Sequence, residues 1–417
     1  MIRAETVLRG LAEVATLSRG AIPRTGAAME ELSLREDAAI ALDGGRVAWV
    51  GNDRELSRNV RLRPGARSFD GTGKVAVPGF VDAHTHVLFA GDRSKEMALK
   101  ARGMSYRTIA RRGGGLLSTV RATRAASEAE LLHATASRLF GMASYGTTSA
   151  EVKSGYALDH TGELRLLRLI PRLEHATGTR LVPTFLGAHA VPPEFRGRPS
   201  AYIDQILRRT LPEVARRGLA RFCDVFCEPG FFSVRDSERL LRAASSLGLG
   251  VKVHADEFVL SRGARLAARL GARSADHLLS TPTEDLGRLA KAGVAAVLLP
   301  LTAFSSGATR RSPAREAVDA GVAVALGSDC SPASWVEAMP TVLAAAVHAG
   351  RLTPAEALTA STVNGAWASG LDAAGTIEVG RPADLSVFPF PKVELLGYRF
   401  DARPELVLRQ GKPVSPP

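Results

Sequence analysis

Cysteine is scarce in this chain: Cys223, Cys227 and Cys330 are the only three, they form no Cys-x-x-Cys pair, and the odd count leaves no complete disulfide framework. A reducing, cytoplasmic setting is expected, with all three as small buried residues. Long apolar runs are missing as well. The longest, residues 293–304, is too short for a bilayer and contains Pro300, so no membrane span is expected. Residues 1–20 carry Glu5 and Glu13 and lack the continuous apolar stretch of a secretory signal. Aromatic residues make up 6%, and few of them lie among the arginines of residues 165–172 and 262–273. The net charge of +12 therefore reads as a solvated, arginine-rich surface without a nucleic-acid partner. Such a surface steers small anionic ligands inward. Solenoid repeats and low-complexity tracts are absent.

What is present is an ordinary globular composition, 45% hydrophobic and 23% charged over 417 residues, enough for a large core. Residues 1–74 are β-rich, with AAIALDGGRVAWVG alternating about a Gly-Gly turn. From residue 75 onward, eight short apolar runs alternate with amphipathic stretches: residues 75–81, 147–152, 181–186, 222–226, 250–254, 274–277, 294–299 and 322–326. Helix starts are marked by Ser127 with Glu130, by Ser233 ahead of a helix ended by Gly248, and by Thr353 with Pro354 and Glu356. Residues 371–417 return to strand-and-turn sequence. The expected fold is α/β, a (β/α)8 TIM-like barrel over residues 75–370, with residues 1–74 and 371–417 forming one small composite β domain. The alternative is an open, doubly wound sheet.

His84 and His86 stand two apart at the end of the first run, where extended chain turns both imidazoles to one side. His189, His254 and His277 also follow strand-like runs, and Asp329 follows the eighth. In a barrel these ends open on one face, where active sites lie. Each residue alone is more often structural; together they define a metal site. Three imidazoles and an aspartate leave room on zinc or iron for a water whose pKa can fall to roughly 7. Glu257, three residues after His254, adds a carboxylate for proton transfer or for a helix start. The triple glycine at 113–115 lacks the Gly-Lys-Ser/Thr of a phosphate loop and reads as a mobile loop beside the barrel mouth.

PGFVDAHTH, HADE, SADH, GSD and GTIEVGRPADL together resemble the amidohydrolase superfamily, whose members hydrolyse C–N bonds at a barrel-borne metal. HTHVLFAGDRSKE, GGGLLSTVRATRAASEAEL, EVKSGYALD, TFLGAHAVPPE, CDVFCEPGFFSV and VKVHADEF resemble, more narrowly, the imidazolonepropionase family within it. The resemblance implies one zinc or iron ion per chain held by His84, His86, His254 and Asp329. It also implies substrate contacts from Arg93, Tyr156 and His189, with Arg93 presenting a guanidinium fork to a carboxylate. The implied reaction is opening of the cyclic amide of 4-imidazolone-5-propanoate, a small anionic heterocycle, to N-formimidoyl-L-glutamate in histidine breakdown. In it, Asp329 or His277 takes a proton from the attacking water, and Glu257 positions the ring and protonates the departing nitrogen.

The chain departs from the family after the aspartate, where the usual Asp-x-Asn-Pro-Gly-Ser/Thr becomes Asp329-Cys-Ser331-Pro-Ala333-Ser334. Ser331 and Ser334 are the expected substrate contacts there, although a hydroxyl replaces an amide and Ala333 replaces a conformationally free glycine. Residues 301–312 also differ from the family stretch. Two rival readings remain: a deaminase or cyclic-amide hydrolase of the same superfamily acting on another heterocycle, and a basic, metal-stabilised binding protein without catalysis. A homodimer is left open.

Overall fold

Near residue 75 the chain changes sheets. The computed structural model describes every residue except 105–107, 110–111, 308 and 415–417. The apolar run expected as one strand over residues 75–81 is two: β5 (Val75–Pro78), in a sheet built from the chain ends, and β6 (Phe80–Asp82), in the barrel. Gly79 is the joint. Its N–H donates to the Asp384 carbonyl at 3.0 Å, while the Phe80 N–H donates to the Gly146 carbonyl at 2.9 Å, so consecutive amides serve different sheets. A β-carbon at Gly79 would lie 2.3 Å from Thr148. Only glycine allows so close a passage.

The terminal sheet contains β1 (Ile2–Ala15), β2 (Leu34–Asp43), β3 (Arg46–Asn52), β4 (Val60–Asp70), β14 (Leu385–Phe388), β15 (Leu406–Arg409) and β16 (Lys412–Pro413). Its order is β16-β15-β14-β5-β1-β2-β3, with β4 also paired to β1. The β2–β3 hairpin turns on Gly44 and Gly45, both at positive φ, as a primed two-residue turn requires. Strands from opposite ends of the sequence thus share one sheet, and β14 lies antiparallel to β5.

The other seven expected runs are barrel strands: β7 (Thr147–Lys153), β8 (Arg180–Ala188), β9 (Phe222–Cys227), β10 (Gly250–Ala255), β11 (Ser274–His277), β12 (Ala295–Leu298) and β13 (Val324–Leu326). From β6 to β13 they follow chain order and pair in parallel. Most of their residues are buried, as parallel strands covered on both faces must be. The seam between β13 and β6 is joined by the Ala83 N–H on the Leu326 carbonyl at 3.2 Å. The architecture is a nearly closed (β/α)8 barrel carrying an additional sheet.

The helix signals act as expected. Ser127 and Glu130 form a capping box on Glu128–Ser144, Thr353 and Glu356 another on Pro354–Ala360, and Ser233 caps Val234–Ser246. Cys223, Cys227 and Cys330 are free and buried. Among the described residues, no helix is long and apolar enough to cross a membrane.

Candidate metal and catalytic site

Past β6 the chain stays extended between two neighbours. On one side, the Lys153 N–H donates to the Thr85 carbonyl at 3.1 Å and Thr85 Oγ1 donates to the Glu151 carbonyl at 2.6 Å. On the other, the Asp329 N–H reaches the His84 carbonyl and the His86 N–H reaches the Cys330 carbonyl, both at 3.0 Å. Thr85 faces away, and His84 and His86 converge. His254, the last residue but one of β10, lies beside them. Asp329 (φ 51°) and His277 (φ 72°) hold left-handed backbones that non-glycine residues adopt at a cost.

The Nε2 atom of His86 lies 3.2 Å from that of His84 and 3.2 Å from that of His254. Asp329 Oδ1 is 3.6 Å from His84 Nε2 and 3.5 Å from His86 Nε2. Ligand atoms about 2.1 Å from one ion at tetrahedral angles stand about 3.4 Å apart. The three imidazole nitrogens form a group that can hold one divalent cation, and Asp329 Oδ1 lies beside two of them at a compatible separation. Burial holds His84 and His86 well below the usual imidazole range, so both offer lone pairs. Thr302 Oγ1 donates to Asp329 Oδ2 at 2.8 Å and fixes the carboxylate, which burial pushes up to about 6.

A layer of buried charge lies beneath the histidines. His84 Nδ1 donates to Asp276 Oδ2 at 2.6 Å, and His254 Nδ1 is 2.9 Å from Asp224 Oδ2. Lys153 Nζ contacts Glu151 at 2.9 Å, Asp224 at 2.8 Å and Asp276 at 3.4 Å, and Lys252 Nζ contacts Glu151 at 2.9 Å. All five charged side chains are fully buried. Sequence reasoning passed over them. Their signal was charge inside strand-like runs: Glu151 and Lys153 stand two apart in β7, and Lys252 stands two before His254 in β10. Residues two apart share a face, so charged groups there must point into the barrel with the ligands.

Above the ion position opens a cavity of ≈ 1120 Å³, lined among others by Arg93, Tyr156, His189, Glu257, His277 and Ser331. Glu257 Oε2 is 3.6 Å from His277 Nε2. Burial, with Asp329 and Glu228 nearby, raises the Glu257 carboxyl well above its usual range. Burial also holds His277 well below its usual range, and His189 falls to about 3 for the same reason. The ring of His189 stacks on His86 with centroids 4.7 Å apart, and His189 Nδ1 donates to the Gly155 carbonyl at 3.1 Å. Tyr156 lies 5.2 Å from His189, centroid to centroid. Glu228, another residue missed from sequence, accepts the N–H groups of Glu257 at 3.2 Å and Val259 at 2.8 Å.

Two expected contacts, Arg93 and Ser334, have a different setting. The Nε and Nη2 atoms of Arg93 donate to Glu96 Oε2 at 3.0 and 2.7 Å, so part of its fork is already engaged. Gly115, from the triple glycine, donates its N–H to the other Glu96 oxygen at 2.6 Å. Ser331 and Ala333 line the cavity, whereas Ser334 is buried behind it and donates its N–H to Ser331 Oγ at 3.2 Å. Ala333 is absent from the left-handed region, so the missing glycine imposes no strain there. In the unusual stretch 301–312, Thr302 serves Asp329 and Phe304 stands exposed at the mouth; residue 308 lies outside the described residues.

The barrel and its histidine–aspartate cluster define a class, and the comparisons agree: the profile of the amidohydrolase family matches residues 107–415, and the chain belongs to that family. An imidazolonepropionase from Symbiobacterium thermophilum is 47% identical over 391 residues, covering 93% of this chain and 91% of the relative. One from Bacillus velezensis is 41% identical over 413 residues, covering 98% and 97%. Relatives this similar over nearly full length set the chain, within that class, in the imidazolonepropionase family. Among solved structures, an adenosine deaminase from Xanthomonas campestris with bound zinc shares the fold at a TM-score of 0.70 and 20% identity, covering 99% of this chain and 93% of that one. An atrazine chlorohydrolase from Arthrobacter aurescens complexed with zinc does so at 0.65 and 18%, covering 98% and 94%.

Proposed function

We propose that this chain hydrolyses 4-imidazolone-5-propanoate to N-formimidoyl-L-glutamate, adding water across the ring amide C–N bond. The observation that carries the reading is the placement of Glu257, 3.6 Å from His277, in a cavity lined by His86, His254, Asp329, Arg93, Tyr156 and His189, directly over the His84–His86–His254 cluster.

His84, His86, His254 and Asp329 would hold one zinc or iron ion per chain. When bound, the ion supplies Lewis acidity, polarising a carbonyl and lowering the pKa of water. The remaining work falls to the side chains. Neutral His277 or the Asp329 carboxylate accepts the proton that water gives up on attack. Glu257, whose carboxyl burial raises well above its usual range, donates a proton to the ring nitrogen as the C–N bond breaks. Tyr156 and neutral His189 flank the ring with polar edges. Arg93, steadied by Glu96, directs its guanidinium to the propanoate carboxylate. Ser331 contributes a hydroxyl at the cavity wall, and Ser334 supports it from behind. The composite terminal sheet acts as a platform for the first barrel strand.

A second reading, hydrolysis of another heterocycle by the same machinery, draws support from the replaced amide at Ser331 and the altered 301–312 stretch. Turnover of imidazolone propanoate against a panel of cyclic amides and amino-heterocycles decides between them. Activity confined to the panel would overturn the first reading.

A further inference from the structure

We infer that Lys153 is a positioning residue for the metal ligands, tying His84 and His254 into one frame through Asp276 and Asp224; this rests on the metal-site reading above. An ammonium has three donors and no acceptor, and Lys153 has three carboxylate partners: Asp224 at 2.8 Å, Glu151 at 2.9 Å and Asp276 at 3.4 Å. Two of these contacts reach oxygens that histidines share. Asp276 Oδ2 also accepts from His84 Nδ1 at 2.6 Å, and Asp224 Oδ2 also lies 2.9 Å from His254 Nδ1. With each Nδ1 turned down to a carboxylate, each Nε2 presents its lone pair to the ion position. The backbone N–H of Lys153 meanwhile holds Thr85, between the first two ligands. One residue therefore touches the support of His84, His86 and His254.

Without the ammonium, Asp224 and Asp276 lose the donor that opposes their mutual repulsion, and either can turn away from its imidazole. Partners of this kind set ring orientation, and their loss typically weakens metal binding about 10- to 100-fold. The same cation also accounts for a second group of ligand-type residues, His84, Glu151 and Asp276, whose donor atoms lie within 4.8 Å of one another. Lys153 contacts Glu151 and Asp276 there, and Lys252 contacts Glu151, so ammonium groups already supply that group with positive charge.

Lys252 provides a matched control. It is equally buried, yet its ion-pair partner among the described residues is Glu151 alone. The affinity of the full chain for Zn²⁺ is measured by chelator competition in Lys153→Met and Lys252→Met, with melting of both metal-free proteins recorded alongside. Lys153→Met is expected to weaken Zn²⁺ binding about 10- to 100-fold at a melting temperature like that of Lys252→Met, which stays close to wild type in affinity. Equal affinities in the two variants overturn the role of Lys153, whereas wild type taking up no ion overturns the metal-site reading itself. If Lys153→Met does not fold, Lys153→Arg serves, because it keeps the charge but replaces a tripod of donors by a planar fork. The visible spectrum of its Co²⁺-loaded form should then differ from wild type, with Lys252→Arg unchanged; superimposable spectra for Lys153→Arg and wild type overturn the proposal.

Discussion

A β-carbon on Gly327 would lie 2.8 Å from His84 Cβ and 3.0 Å from its amide nitrogen, so the segment after the last barrel strand passes His84 with no room for a methyl group. Gly327→Ala must push the two apart. Overpacking of this kind costs about 1–3 kcal/mol. We expect a folded protein with a lowered melting temperature and substoichiometric metal by elemental analysis, because the strain falls directly on His84. Full metal content with unchanged melting would show that the seam opens without disturbing the ligand.

Glu257→Gln preserves shape and removes the transferable proton. Turnover of imidazolone propanoate should fall about 10²- to 10⁴-fold while metal content and melting stay near wild type. Near-normal kcat would take Glu257 out of the chemistry.

For Arg93, the comparison is between two substrates. Arg93→Met should reduce kcat/KM for the propanoate substrate far more than for an analogue without the carboxylate, each tenfold corresponding to about 1.4 kcal/mol. Because Arg93 also binds Glu96, part of the loss will be common to both substrates. A loss identical for the two would make the pair structural.

Burial pushes the Glu228 carboxyl from 4.5 up to about 7, with the neighbouring Asp256 adding to the rise and the Val259 N–H opposing it. The folded chain therefore holds this proton more tightly than the unfolded chain does. Its contribution to stability is complete below the unfolded value and is lost as pH rises through about 7. Glu228→Gln removes that dependence. Between pH 5 and 8, the melting temperature of wild type should fall relative to the variant; parallel curves would mean that Glu228 is ionised throughout.

Removal of the ion by a strong chelator should abolish turnover and lower the melting temperature, since a ligand bound only by the folded state stabilises it by mass action. One equivalent of zinc or iron per chain should restore both. A requirement for two equivalents would contradict a mononuclear site.

The barrel was legible because its strands are short apolar runs at regular intervals, and the candidate ligands because histidines at several strand ends are brought by the barrel to one face. The division at Gly79 was not, since residues 75–81 read as continuous apolar sequence and only the approach of Thr148 shows why the chain must turn there. Glu151, Lys153 and Lys252 were hidden for a related reason. Charge within a strand reads as an exposed face unless the partners in neighbouring strands are known, and Asp224 and Asp276 arrive 71 and 123 residues after Lys153. Ser334 is a smaller difference: the family pattern after Asp329 suggested it as a contact beside Ser331, and the cavity wall carries Ser331 and Ala333 with Ser334 buried next to them.

The pairing of β14 with β5 also has a consequence for biosynthesis. As the ribosome extends the chain, β5 emerges early, one residue before the barrel begins, while β14 is made only after every barrel strand. A nascent chain that has completed β13 thus carries its barrel on a sheet with an open edge at Val75–Pro78, a segment fully buried in the finished protein. Unpaired apolar edges invite association with other chains. Pro78, which cannot donate an amide hydrogen, blunts that edge during the interval. The late C-terminal strands then act as a clasp, and a ribosome that stalls before them leaves a barrel with an adhesive flank.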